Sequence, residues 1–118
     1  MNKNNERLYQ MSWSKIYDLY LMKVTKKDRT KAELDQVICW LTNYDQNTLE
    51  KQVNSDVSIK TFFDDPSKIN DNAVLITGKI CGVQIEEIED PLMKKIRYLD
   101  KLVDELAKGR KMESILRK

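Results

Sequence analysis

The run from Asp90 to Gly109 constrains this chain more than any other. Asp90 is a helix N-cap type and Pro91 suits the first helical position, where no N–H is needed. Leu92, Ile96, Leu99, Val103 and Leu106 then recur at alternating four- and three-residue spacing, and Gly109 supplies a stop. Lys94, Lys95, Arg97, Asp100, Lys101, Asp104 and Glu105 fall on the other faces, with Arg97 placed to pair with Asp100. Two heptads are too short for a stable isolated coiled coil, so the seam reads as core and requires other elements to cover it.

The remaining segments supply that cover. After Ser12, an expected N-cap, Trp13, Ile16, Tyr17, Tyr20, Leu21 and Val24 mark one face of a helix, with Leu19 and Met22 nearly opposite. A helix apolar on both sides is either central in the core or shared with a second chain, and a central place is favoured. Thr30-Lys31-Ala32-Glu33 is a capping box opening a helix with Leu34, Val37, Ile38 and Leu41 on one face. Trp40 lies at the edge of that face, as a rim residue or an exposed anchor; Trp40 and Tyr44 are expected to be exposed. Asp45 can cap a short helix carrying Leu49 and Val53, and Ser58 one holding Ile59, Phe62 and Phe63. Asp64-Asp65-Pro66-Ser67 reads as a break, with loop to Asn72, and Met112, Ile115 and Leu116 as a last amphipathic turn.

Residues 74–88 admit two readings. Val74–Thr77 could pair with the alternating Cys81, Val83 and Ile85 across Gly78-Lys79 as a hairpin, or Ile76, Ile80, Val83 and Ile88 could line a helix. The β-branched content favours the hairpin. The expected fold is therefore mainly α: a compact helical domain of four to six helices, with a small β-hairpin near residues 74–86. Residues 1–11 read as a flexible N-terminal arm whose Leu8 and Tyr9 could dock, and residues 12–118 as a single globular helical domain.

The chain of 118 residues is long enough for one domain with its own core, and 21 basic against 19 acidic residues leave no global pull toward nucleic acid or anionic lipid. Neither a signal peptide nor a membrane-spanning run is visible, so the expected location is cytoplasmic, with no membrane partner. Cys39 and Cys81 read as two buried thiols of a reducing compartment, a disulfide between them remaining open. There is no histidine. That removes the commonest general base, the commonest metal ligand and every Ser-His or Cys-His nucleophile pair. Cys81 likewise lacks an activator.

Several stretches taken together resemble a family of small bacterial proteins. They are Tyr9-x-Met11-Ser12, Ile16-Tyr17-Asp18-Leu19-Tyr20, Arg29-Thr30-Lys31-Ala32-Glu33 and Trp40-Leu41-Thr42-x-Tyr44. More specific are Glu86-Glu87-Ile88-Glu89-Asp90-Pro91-Leu92-Met93 and the run from Ile96 to Gly109. The family is catalogued as domain of unknown function number twenty-two hundred, and the likeness covers nearly the whole chain. Asp18 stands where relatives carry a proline. The resemblance implies a stand-alone cytoplasmic domain and carries over no catalytic residue.

Three functional readings follow. The first is a non-enzymatic binding or assembly module, expected to act as a homodimer or with another protein, through Leu19, Met22, Trp40 and Tyr44. The second is a nucleic-acid-associated protein using the basic run Lys23, Lys26, Lys27, Arg29 and Lys31, with residues 31–42 and 46–53 in a helix-turn-helix outline. Gln46, Asn47, Lys51 and Gln52 are the base-reading groups it offers. The third is a carboxylate-based or metal-dependent enzyme built on Glu86, Glu87 and Glu89 beside Asp90, a cluster that otherwise reads as solvated loop plus cap. No cofactor is expected, and the balance of these readings leans away from an enzyme.

Overall fold

The computed structural model describes residues 3–64 and 69–117, with side chains from residue 6 onward. Its elements are α1 (Lys3–Gln10), α2 (Trp13–Thr25), α3 (Lys31–Thr42), α4 (Gln46–Asn54), α5 (Ile59–Phe62), β1 (Lys79–Ile80), β2 (Val83–Gln84), α6 (Pro91–Ala107) and α7 (Met112–Ile115). Short 3-10 turns occupy Asp71–Leu75 and Ile85–Glu87. The fold is mainly helical with one small hairpin, and the helix beyond the expected six is α1. The segment read as an arm is thus helical over Lys3–Gln10, and Tyr9 docks with 7% of its surface exposed. Asp65, Pro66 and Ser67 of the expected break lie outside the described residues.

Helix α6 is the pivot. It contacts α2, α3, α7 and the hairpin strand β1. Ile96, Leu99, Leu102, Val103 and Leu106 are fully buried, and the Asp90 carboxylate caps the helix by accepting the Leu92 N–H at 3.0 Å. Glu105, expected on an outer face, is instead buried, since Arg117 reaches back with two 2.8 Å bonds to its carboxylate. The helix stops at Gly109 in the left-handed region, φ 87°.

Helix α2 contacts α3, α4, α5 and α6 and buries Trp13, Ile16, Tyr17 and Val24. Ser12 stands at its N-cap position, but the hydroxyl bonds that of Ser14 rather than a helical N–H. The entry is fixed another way. The Trp13 N–H donates to the Val57 carbonyl and the Ile59 N–H to the Met11 carbonyl, both at 2.8 Å, so the starts of α2 and α5 are clasped antiparallel. This sets the Trp13 ring flat on Phe62, centroids 3.8 Å apart. The Thr30–Glu33 capping box forms as expected. Asp45 and Ser58 cap α4 and α5.

The hairpin lies within residues 74–86, but its turn is Cys81-Gly82 and not Gly78-Lys79. Lys79 pairs with Gln84 and Ile80 with Val83, a register that leaves a two-residue turn, whose favoured I′ form has positive φ at both positions. Cys81 at φ 52° and Gly82 at φ 79° fit that form. Val74 and Leu75, expected in the partner strand, sit in the 3-10 turn, 72% and 47% exposed. The same geometry exposes Cys81, while Cys39 is half-buried, so neither is the fully buried thiol expected; both are free.

Candidate functional site

The aromatic residues of the first 44 positions become ties between helices. Tyr9 of α1 donates to Asp90 at the start of α6, Tyr17 of α2 to Asp35 of α3 at 2.5 Å, and Tyr20 of α2 to Asp100 of α6 at 2.6 Å. Burial, then the accepting carboxylate, pushes Tyr9 and Tyr17 up to about 12 and Tyr20 well above its ordinary value. Each phenol is therefore locked as a neutral donor. Arg97 completes the Asp100 site at 2.8 Å, as its spacing suggests.

Asp35 is the residue that sequence reasoning missed. It is 3% exposed, and its second oxygen accepts Lys31 Nζ at 2.8 Å and Gln46 Nε2 at 2.9 Å. This cluster walls a half-open cleft of about 230 Å³ between α2, α3 and α4, lined further by Leu49, Glu50, Val53 and Asn54. Lys31 Nζ also sits 5.8 Å from the Tyr17 ring centroid. The bond to Asp35 holds the Lys31 ammonium well above its ordinary range, with burial opposing. A cation and a phenol both stabilised in these forms provide fixed charge and fixed donors, not a base or a nucleophile at neutral pH. The available signal for Asp35 was its position beside Leu34 and one turn before Ile38 and Cys39, with Lys31 four residues back.

The first set of expected contact residues divides. Leu19 and Met22 are 59% and 56% exposed on one side of α2, so that helix is packed on its inner side and uncovered on the outer one. The favoured central place for α2 holds only for its inner side. Trp40 and Tyr44 do not join them in exposure. Both are half-buried against the core, because Asn70 bonds the Trp40 and Leu41 carbonyls and the Tyr44 hydroxyl donates to the Phe62 carbonyl at 2.8 Å. Tyr44 also meets the Phe62 ring edge-on, centroids 5.2 Å apart.

The basic run is largely engaged by carboxylates of the same chain. Lys23 pairs with Asp104, Arg29 with Glu33 and Lys31 with Asp35, leaving Lys26 and Lys27 exposed at the end of α2. Helices α3 and α4 do follow one another across Asn43, whose left-handed φ of 59° turns the chain. Gln46, however, points its amide to Asp35 and Glu50, not outward. Among the acidic residues, Glu86 accepts the Gln84 amide at 2.8 Å and the Gly78 N–H at 2.7 Å, which together hold its carboxyl below the usual range. It latches the hairpin. Glu87 and Glu89 are exposed, and among the described residues no group of three or more His, Cys, Asp or Glu side chains is arranged to hold a metal ion.

Comparison with known proteins places these features in a lineage. Residues 7–117 match the family described as "Uncharacterized protein conserved in bacteria (DUF2200)", and the chain belongs to that family. A solved crystal structure, that of uncharacterized protein SP1917, is 41% identical and superposes with a TM-score of 0.90 over 98% of this chain and 94% of that one. No curated protein matches. Among the described residues, no helix is long and apolar enough to cross a membrane.

Proposed function

We propose that this member of the bacterial family is a non-enzymatic binding and assembly module that pairs with a second copy of itself through the outer side of α2. The observation that carries the reading is the exposure of Leu19 and Met22 in the middle of a helix whose other side is locked into the core. Lys15, Leu19, Met22 and Lys26 repeat the four-three-four spacing of a helix–helix seam on that outer side. A twofold axis between Leu19 and Met22 sets each against the other of the second copy. Lys15 and Lys26 fall at the ends of the contact. There their stems can cover the apolar pair while the ammonium groups stay in water.

Further support comes from Tyr17 and Lys31 of the cleft, both held in their protonated forms, and from the internal pairing of Lys23 and Arg29, which takes part of the basic run away from phosphates. A cytoplasmic setting accords with two unbridged thiols. Native mass spectrometry and sedimentation of untagged protein test the reading. A dimer that becomes monomeric in the double variant Leu19→Glu, Met22→Glu, with native helix content retained and a melting temperature that no longer depends on protein concentration, is the expected result. A wild-type chain that stays monomeric up to tens of micromolar overturns it.

A further inference from the structure

The cleft lies on the side of α2 opposite the Leu19–Met22 face, since Tyr17 and Leu19 are two residues apart on a helix of 3.6 residues per turn. It has three properties that together specify a ligand. The first is a cation with donors to spare: Lys31 gives one bond to Asp35 yet keeps a side chain 56% exposed. The second is an anion, Glu50, exposed at the cleft and approached by the Gln46 amide at 3.4 Å. The two are joined by a chain of hydrogen bonds running from Lys31 through Asp35 and Gln46 to Glu50, which fixes their relative placement. The third is an apolar floor formed by the half-buried Val53 beside the fully buried Leu49.

Asp35 is committed to Tyr17, Lys31 and Gln46; it orients the Lys31 ammonium and offsets its charge, so that with Glu50 the cleft carries two carboxylates against one ammonium. A purely anionic ligand would meet Asp35 and Glu50 at a cost, and a purely cationic one would leave the remaining Lys31 donors unused. A zwitterion with its ammonium at Glu50 and its carboxylate at Lys31 avoids both. At about 30 Å³ per water, 230 Å³ corresponds to about eight waters, the scale of an amino acid with a branched aliphatic side chain. We infer that the cleft between α2, α3 and α4 is a binding site for a free, aliphatic α-amino acid. Its carboxylate is received by Lys31, its ammonium by Glu50, and its side chain by Leu49 and Val53.

The site is independent of the pairing face and can hold or fail without it. The test is a titration of the full-length protein, labelled with nitrogen-15, followed through its backbone amide signals. The probes are L-leucine, N-acetyl-L-leucine, which lacks the ammonium, and L-leucinamide, which lacks the carboxylate. Leucine is expected to shift the Leu49, Glu50 and Val53 amides saturably with a dissociation constant of about 1 mM. Each control should bind at least about tenfold more weakly, as should leucine to Glu50→Gln, a change at an exposed position that leaves the core intact. Absence of saturable shifts with leucine, a control that binds as well as leucine, or a Glu50→Gln variant of undiminished affinity overturns the inference.

Discussion

Helices α2 and α6 are both packed against several neighbours, yet they differ in the residues that lie opposite their apolar stripes. On α6 the residues outside the apolar seam are recruited: Lys95 bonds the Phe63 carbonyl, Asp100 accepts from Tyr20 and Arg97, Lys101 bonds the Lys79 carbonyl, Asp104 pairs with Lys23 and Lys108, and Glu105 with Arg117. On α2 the residues opposite the stripe, Leu19 and Met22, remain exposed. The difference teaches that an apolar stripe alone does not make a helix central. What does is a set of long polar side chains that neighbouring elements can reach and satisfy.

The largest effect that would break this contrast is expected at the α6 seam. Leu99→Ala should cost about 3 kcal/mol, because a fully buried leucine leaves a cavity, read as a lowered denaturant midpoint with an unchanged slope. A loss below about 1 kcal/mol would remove α6 from the centre of the fold. Next is Arg117→Ala, which strands the buried Glu105 carboxylate. About 2 kcal/mol is expected, less than for a fully buried pair because Arg117 keeps 18% of its side chain exposed. Equal stability of this variant at neutral pH would show that the recruited polar groups of α6 are dispensable.

Capping effects come third. Asp90→Ala removes a helix cap and the Tyr9 acceptor together and should cost about 1–2 kcal/mol by thermal unfolding. The sign with pH follows from the direction of the shifts. The Tyr9 bond and the helical N–H groups hold the Asp90 carboxyl below its ordinary value, so its contribution is present above about pH 4 and is lost as pH falls further. Tyr9 and Tyr17 are raised, so theirs is intact below about pH 10 and lost as pH climbs toward 12. An ultraviolet phenolate titration should accordingly show these two ionising near pH 12, and an ordinary value for either would dissolve the tie it makes. The smallest effect sharpens the other side of the contrast. Leu19→Ser should change stability by no more than about 0.5 kcal/mol while weakening self-association in sedimentation.

What could be read in advance divides along the same physical line. The Thr30–Glu33 box, the Asp45, Ser58 and Asp90 caps, the Gly109 stop and the Arg97–Asp100 pair were legible because each is a contact within one helical turn. The hairpin was legible as a segment but not in register. Two positions, Gly78 and Gly82, both accept positive φ, and the turn fell where Cys81 could join Gly82. The candidate cleft was legible only in part: Lys31 stands out in the basic run, whereas the role of Asp35 emerges only when α2, α3 and α4 are packed together.

By itself, the amino-acid sequence determined the helices from α2 to α7, the caps at Thr30, Asp45, Ser58 and Asp90, and most of the buried stripes, because periodicity and local hydrogen bonding act over a few residues. Only the tertiary structure decided which polar residues were consumed. Tyr9 could meet Asp90, and Tyr20 Asp100, only when segments some eighty positions apart were brought together. It likewise turned Trp40 and Tyr44 inward and left Leu19 and Met22 uncovered. Partner choice of this kind depends on how whole helices pack, and no local pattern encodes it.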